Sequence, residues 1–279
     1  MADLSKILVT GAQSRIGQAI LFGIKLSHKD LDITNKQAIQ QKCEQLSPSG
    51  ILCLASIDIR LCEKDPFLAY KVNVLGAYYA AQIANERNIP FIFISTGAIF
   101  NGEPNKMFSE YDEPDPLNIY GQTKYMAEIL VRHVSTKHII ARTGWLFGGK
   151  TTKVGMIDRM LIAVKKGEAI TATTDQFGSP TYLDGFIKEI TSLISNDTYG
   201  TFNIVNTGAA SAAEVMQEAI SFLKSPSKLV PAKMADFIST GPRRSASEAL
   251  LSKKIKLRPW QEALRDYLSV KEFTQVSPS

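Results

Sequence analysis

The chain has 279 residues, 44% hydrophobic and 21% charged, which is enough for a full parallel sheet with helices on both faces and a smaller second lobe. No apolar run approaches the roughly 20 residues of a membrane span, and Met1 to Lys6 lacks the basic start and long apolar stretch of a secretory signal, so no membrane association and a cytoplasmic location are expected. The net charge of +5 is spread along the chain in short pairs such as Lys165-Lys166, Arg243-Arg244 and Lys253-Lys254, without a basic stripe interleaved with aromatics; nucleic acid is not an expected partner.

Lys6 to Thr10 (KILVT) reads as a buried parallel strand that ends at Gly11. Next, Ile16, Ile20 and Ile24 share a helical face, while Phe22, Ile24 and Leu26 alternate like a strand. The spacing predicts a first helix of about two turns and a second strand near 21–26. Gly50 to Ala55 (GILCLA), Pro90 to Ser95 (PFIFIS) and His138 to Arg142 (HIIAR) are further buried strands, with helical segments around Pro66 to Asn88 and Tyr120 to Ser135 between them. This alternation predicts an α/β fold, a doubly wound parallel sheet of the Rossmann kind. It sets Gly11, Ala55 and Thr96 just past strand carboxyl ends, the edge where open α/β sheets bind ligands. Beyond Gly148 the pattern loosens, with amphipathic helices expected at Val154 to Lys166, Leu183 to Ser195, Ser211 to Leu223 and Arg258 to Leu268. A strand at Thr201 to Val205 (TFNIV) could return to the main sheet. Residues 1–148 are read as the dinucleotide-binding Rossmann domain and 149–279 as a smaller C-terminal substrate lobe, with a frayed tail from Thr274 to Ser279.

Thr10-Gly11-Ala12-Gln13-Ser14-Arg15-Ile16-Gly17 follows the first strand and opens a helix. In that context it predicts a phosphate-binding turn, because glycine lets the backbone approach a pyrophosphate and helix N–H groups face it. Gly11, Gln13, Ser14, Arg15, Ile16 and Gly17 are the candidate contacts, although Ser14 stands at the usual middle glycine. The end of the second strand falls at Ser27-His28-Lys29, with no acid before Asp30. A carboxylate at that end commonly binds the ribose hydroxyls of NAD. His28 and Lys29 instead suit a 2′-phosphate, so NADPH, or dual use with NADH, is expected.

Tyr120 and Lys124 are four apart and share one face of a predicted helix. A phenol of reference pKa about 10 is a poor acid–base group at neutral pH, and the neighbouring ammonium is expected to bring it toward the working range. Tyr267 and Lys271 repeat the spacing in a terminal helix beyond the sheet and are read as structural. Cys43, Cys53 and Cys62 lack Cys-x-x-Cys pairing and read as reduced, buried thiols. His28, His133 and His138 are too scattered for a cluster, so no metal site is expected.

The chain resembles the dTDP-4-dehydrorhamnose reductase family of extended short-chain dehydrogenases. The resemblance runs almost end to end: Val9-Thr10-Gly11-Ala12, Leu31-Asp32-Ile33-Thr34, Val72-Asn73, Ile94-Ser95-Thr96 and Tyr120-Gly121-Gln122-Thr123-Lys124, then Arg142 to Gly148 (RTGWLFG), Asp175 to Thr181 (DQFGSPT) and Pro259 to Leu264 (PWQEAL). The last three are much more family-specific than the glycine turn. The resemblance implies reduction of a nucleotide-linked 4-keto sugar, with Thr96, Tyr120 and Lys124 as the catalytic set. Tyr120 would protonate the carbonyl oxygen, Thr96 would hydrogen-bond it, and Lys124 would hold the nicotinamide ribose. Trp145 would wall the substrate pocket, Asp32 and Ile33 would lie near the adenine, and Asn73 would hold helix geometry or a water. A homodimer is a possible assembly.

The family's usual Asp-Tyr after the threonine is Gly97-Ala98 here, its Ala-Ala-Tyr is Leu54-Ala55-Ser56, and its Arg-Pro is Gly241-Pro242. Side chains as small as those of Gly97 and Ala98 are expected to open space near the sugar ring, favouring a bulkier or differently hydroxylated keto sugar unless the C-terminal lobe fills the gap. A dehydratase is disfavoured, since it needs an Asp-Glu pair after the threonine. A sugar-nucleotide epimerase and a non-catalytic, dinucleotide-binding regulatory subunit stay open as alternatives.

Overall fold

The structure, a computed structural model, describes residues 2–149, 151–238 and 241–270. The first buried run forms β1 (Ile7–Thr10); the short helix α1 (Arg15–Ala19) follows and β2 (Ile24–Leu26) returns beside β1. Gly23, at φ +79°, turns the chain into β2 within a few residues of the end of α1, which is why helix and strand both fit the short interval. Then come α2 (Lys36–Leu46), β3 (Gly50–Cys53), α3 (Ile59–Lys64) and a continuous helical run made of α4 (Pro66–Ala69), a π-helical stretch Tyr70–Gly76, and α5 (Ala77–Glu86). The first half closes with β4 (Phe91–Thr96), a short β5 (Met107–Phe108), α6 (Ile119–Val134) and β6 (His138–Thr143).

The second half holds β7 (Leu146–Phe147), α7 (Met156–Lys166), β8 (Ile170–Thr173), β9 (Phe177–Gly178), β10 (Thr181–Tyr182), α8 (Leu183–Ser195) and β11 (Gly200–Asn203). It ends with β12 (Ala210–Ser211), α9 (Ala212–Leu223), β13 (Leu229–Ala232), α10 (Ala235–Ile238), β14 (Ala249–Leu250) and α11 (Trp260–Ser269). The four amphipathic helices expected beyond Gly148 are α7, α8, α9 and α11. The expectations for Thr274 to Ser279 and for Lys271 lie outside the described residues.

Six strands form one sheet in the order β11-β6-β4-β3-β1-β2, and every neighbouring pair is parallel. The strand expected at Thr201 to Val205 does return to this sheet, pairing Gly200–Asn203 against Ile139–Arg142. Strand alternation divides the core between two faces. Leu8, Ile51, Phe91, Phe93 and Ile140 pack against Ile39 and Cys43 of α2, the alanines of α5, and Ala127 and Val131 of α6. Ile7, Val9, Leu52, Ile92 and Ala141 face the other way, onto Ile16 of α1 and Leu183, Phe186, Ile190 and Ile194 of α8. Helix α8 thus belongs spatially to the main sheet although it follows Gly148. A separate core joins α7, α9, α11 and β8 through Leu161, Val164, Ile170, Met216, Trp260 and Leu264.

Helix α2 has no counterpart in the sequence reading. Its buried residues are only Ile39 and Cys43, one turn apart, amid Lys, Gln and Glu, so the apolar stripe is too thin to announce a helix. Its Asn35 cap, whose side chain accepts from the Ala38 amide at 3.1 Å, was the remaining local signal.

Candidate active site

The turn after β1 is shaped by backbone crowding. Gly11 has φ +65°, and a Cβ there would lie 2.6 Å from the Ala55 amide nitrogen, so only glycine allows the turn to rest on the end of β3. Ser14, at the place of a middle glycine, caps α1: its hydroxyl accepts from the Gly17 amide at 3.1 Å. A Cβ on Gly17 would be 2.6 Å from the Ala12 carbonyl oxygen. The amides of Arg15 and Ile16, in the first turn of the helix, have no intrahelical acceptor. A turn opened by glycine, with free amides aimed outward at the sheet's carboxyl edge, suits a dinucleotide pyrophosphate. Gln13 is exposed on its outside.

The Arg15 side chain is directed elsewhere. It pairs with Asp158 of α7 at 2.6 Å and donates to the carbonyls of Leu146 at 2.7 Å and Gly148 at 3.0 Å. Asp158 in turn accepts from the Gly148 amide at 2.7 Å. Arg15 therefore offers a cofactor its backbone, while its guanidinium ties the turn to the second lobe.

Beside this turn a cavity of about 260 Å³ runs from Ser14 and Ile16, past Leu54 and Ser56, to Thr96, Tyr120, Lys124, Thr143 and Trp145. It spans the carboxyl ends of β1, β3, β4 and β6. Ala55 supplies the backbone against Gly11, and its neighbours Leu54 and Ser56 supply the wall.

Helix α6 presents Tyr120 and Lys124, the pair expected to do acid–base work. Asn118 caps it, accepting from the Gly121 amide at 2.8 Å and donating to the Arg243 carbonyl at 2.8 Å. A Cβ on Gly121 would collide with the Ala98 carbonyl oxygen, so this glycine lets the helix start against the turn that follows Thr96. The Thr96 hydroxyl oxygen accepts from the Ala98 amide at 3.1 Å and also makes a hydrogen bond with Tyr120. Asn73 accepts from the Ile57 amide at 3.0 Å and donates to the Thr123 hydroxyl at 3.0 Å, joining the π-helical stretch to α6. Its role in holding helix geometry is direct.

The ionisation of the pair differs from expectation. Burial pushes the Tyr120 phenol up to about 12, with Cys62 and Glu248 acting the same way and the Thr96 hydrogen bond offsetting only part. Lys124 does not draw it toward neutrality. Its side chain is itself buried, its ammonium lies 3.9 Å from the centre of the Phe93 ring, and burial brings it down to about 8 against the support of Cys53, Glu128 and Cys62. Desolvation favours the neutral form of each group. At neutral pH Tyr120 keeps its proton and Lys124 is mostly charged.

The substrate wall also departs from the sequence reading. Gly97 and Ala98 form a short turn after β4 and do not line the cavity. No open space results at Gly97, because a Cβ there would collide with the Glu248 carbonyl oxygen. The C-terminal segment fills the gap. Trp145 does line the cavity, at the left-handed φ of +34°. Its indole N–H donates to Glu248 Oε1 at 2.8 Å, and its ring covers Gly178, where a Cβ would strike it. This contact explains the glycine of the Asp175-to-Thr181 motif.

The remaining expected contacts lie outside this cavity. His28 is exposed beyond β2, and Asp32 accepts from the amide and hydroxyl of Thr34 at 2.9 and 2.8 Å. Ile33 is buried against Gly76. Two functional candidates escaped the sequence reading. Thr143 lines the cavity with a buried hydroxyl that has no hydrogen-bond partner among the described residues. Glu248, more than a hundred residues away, does not line the cavity itself but holds the Trp145 indole that does; no local pattern marks it. Among the described residues there is no group of three or more His, Cys, Asp or Glu side chains placed to hold a metal, and no helix is long and apolar enough to cross a membrane.

The chain has relatives among known proteins and solved structures. The family described as RmlD substrate binding domain matches residues 5–273. The spore coat polysaccharide biosynthesis protein SpsK of Bacillus subtilis is 28% identical, over 95% of this chain and 97% of that protein. The dTDP-4-dehydrorhamnose reductase of Aggregatibacter actinomycetemcomitans is 28% identical over 94% and 98%. A crystal structure of the Bacillus anthracis dTDP-4-dehydrorhamnose reductase with NADP superposes with a TM-score of 0.86 at 28% identity, covering 94% of this chain and 98% of that one. With a dinucleotide turn, a Thr-Tyr-Lys site and a family match from one end to the other, the chain belongs to the RmlD substrate binding domain family of dTDP-4-dehydrorhamnose reductase-like proteins.

Proposed function

We propose that this protein uses NADPH, or NADH, to reduce the 4-keto group of a nucleotide-linked deoxysugar in polysaccharide precursor synthesis, with Thr96, Tyr120 and Lys124 as its catalytic residues. The observation that carries the reading is the placement of Tyr120 against Thr96 and one turn from Lys124, at the end of a cavity that begins at a glycine turn suited to a dinucleotide. The dinucleotide, when bound, supplies the hydride.

The chain's own groups do the rest. Tyr120 holds a proton at its phenol oxygen and delivers it to the carbonyl oxygen as charge develops there. The Thr96 oxygen already accepts from the Ala98 amide, which fixes its position; its hydrogen, directed at Tyr120 here, turns to the carbonyl oxygen when the sugar is bound. Lys124 binds the nicotinamide ribose as an ammonium. The Thr143 hydroxyl is a further contact for the bound cofactor or sugar. Amides of the Gly11-to-Gly17 turn, those of Gln13, Arg15 and Ile16, receive the pyrophosphate beside Ser14, whose own amide donates to the Gly11 carbonyl at 2.9 Å. Asp32 and Ile33 border the adenine, and His28 with Lys29 receives a 2′-phosphate. Trp145 keeps water from the reacting face.

Purified protein incubated with NADPH and enzymatically prepared dTDP-4-dehydrorhamnose tests this reading. A kcat/KM of about 10⁴ M⁻¹s⁻¹ or more, within the range of ordinary enzymes, makes the rhamnose precursor the substrate. Consumption of NADPH with another dTDP-, UDP- or GDP-linked keto sugar alone moves the substrate but keeps the reaction. No consumption with any of them overturns the proposal. A cytoplasmic location, in keeping with three unpaired, buried cysteines, and a homodimer through the exposed Met126 and Ile129 of α6 complete the reading. Light scattering at micromolar concentration tests the dimer.

A further inference from the structure

Glu248 is held in place from both sides. Ser247 exchanges backbone hydrogen bonds with Gly102 at 3.0 and 3.2 Å, the Glu248 amide donates to the Phe177 carbonyl at 3.0 Å, and the Leu250 amide donates to the Ser179 hydroxyl at 2.8 Å. Its carbonyl oxygen occupies the space a side chain on Gly97 would need, which places its backbone against the residue that follows Thr96. Its side chain turns toward Trp145 and accepts the indole N–H at Oε1, 2.8 Å away. Its other oxygen, Oε2, has no hydrogen-bond partner among the described residues. The carboxyl group also acts on the Tyr120 phenol across the site; burial pushes its own pKa up, and the Trp145 hydrogen bond and the Arg244 charge oppose that rise.

A carboxyl group in this position offers the diphosphate of a nucleotide sugar no positive charge to pair with. It is suited to the sugar end, whose hydroxyls donate hydrogen bonds that a carboxyl oxygen accepts. We propose that Glu248 is a substrate-positioning residue, holding Trp145 with one carboxylate oxygen and accepting with the other a ring hydroxyl of the sugar beside the carbonyl that Tyr120 protonates. The inference rests on the keto-sugar reductase reading. It makes the C-terminal lobe, rather than the turn after Thr96, the part of the chain that recognises the sugar.

Two variants separate the two contacts. In Glu248→Gln the side-chain oxygen still accepts the Trp145 N–H, while the position facing the sugar becomes an amide donor. In Glu248→Ala both contacts go. The probes are dTDP-rhamnose and dTDP alone, titrated calorimetrically into NADP-loaded protein, together with steady-state kinetics on the keto-sugar substrate. Both variants should bind dTDP as wild type does and bind dTDP-rhamnose roughly 3- to 10-fold more weakly, the scale of one hydrogen bond. In turnover, KM for the keto sugar should rise in both, and kcat should fall further in Glu248→Ala, where Trp145 is also released. Glu248→Gln binding dTDP-rhamnose as wild type does would overturn the proposal, and so would equal weakening of dTDP and dTDP-rhamnose, which marks a structural role alone. Wild-type protein that binds dTDP-rhamnose but consumes no NADPH with any keto sugar would refute the reductase reading and leave the binding comparison to judge Glu248. Wild-type protein that does not bind dTDP-rhamnose refutes the Glu248 contact as well.

Discussion

Tyr120 and Lys124 sit four residues apart on α6, yet their spacing says little about how they ionise. Burial governs both, and it moves the phenol up to about 12 and the ammonium down to about 8. A phenol that keeps its proton is a donor, as the reductive direction requires. Tyr120→Phe should therefore lower kcat roughly 10²- to 10⁴-fold, the usual worth of a general acid, with NADPH affinity unchanged by calorimetric titration. A variant retaining a tenth of wild-type activity would remove Tyr120 from the role. The alkaline limb of kcat/KM, which reports the free protein, should belong to Lys124. Its depressed value means the ammonium is intact below pH 8 and is lost as pH rises through that point. Activity should then fall above about pH 8, and a limb above pH 10 would show that Tyr120 sets it instead.

At the scale of elements, α6 is fastened to the sheet by a buried ion pair. Glu128, fully buried, accepts from Arg142 of β6 at 2.9 and 2.7 Å and from Arg132 one turn along at 3.0 Å. Burial pushes the carboxyl up, but the Arg142 hydrogen bonds and charge, with Ser95 and Arg132, together bring it below its ordinary value of 4.5. A lowered folded-state value stabilises the fold above pH 4.5, and that contribution is lost as pH falls through the folded value. Glu128→Gln leaves Arg142 buried without its anion and should cost about 3–5 kcal/mol at pH 7. In urea unfolding, its deficit against wild type should shrink toward acid pH; a constant deficit would mean that packing, not charge, is what the variant loses. At the end of β2, Asp30 is occupied by the amide and hydroxyl of Ser27 at 2.8 and 2.6 Å, which leaves His28 and Lys29 as the outward groups. Catalytic efficiency with NADPH should equal or exceed that with NADH. A hundredfold preference for NADH would contradict this arrangement of the strand end.

For the molecule as a whole, the site is built where two parts of the chain meet. The sheet supplies the turn, Thr96 and the Tyr120 helix; the C-terminal lobe supplies Glu248 and the β9 segment under Trp145. Arg15 and Asp158 fasten the cofactor turn to α7 across the same boundary. At Gly97 the two parts touch closely, the Glu248 carbonyl oxygen lying where a side chain would be. Gly97→Asp, which restores a side chain at that place, should be destabilising by about 1–3 kcal/mol, the cost of overpacking a tight contact, and should lower activity. The melting temperature and kcat of the variant check this. A variant as stable as wild type and more active would show that the Glu248 segment moves aside.

The sequence by itself determined the layers. Buried β-branched runs, turn glycines and helical periodicity repeat locally, and each is set by neighbours a few residues apart, so β1, β3, β4, β6, α6 and even the short α1 with β2 were legible. Motif order likewise brought Gly11, Thr96, Tyr120, Lys124 and Trp145 to one edge of the sheet. Tertiary structure alone decided what surrounds them. Arg15 reads as a phosphate-loop arginine until Asp158 and two carbonyls take its guanidinium. Gly97 reads as a gap until the Glu248 carbonyl fills it. Tyr120 reads as a phenol tuned by its lysine until burial overrides the ammonium. Desolvation and contact depend on atoms that arrive from distant parts of the chain, and no local spacing of residues encodes which atoms those are.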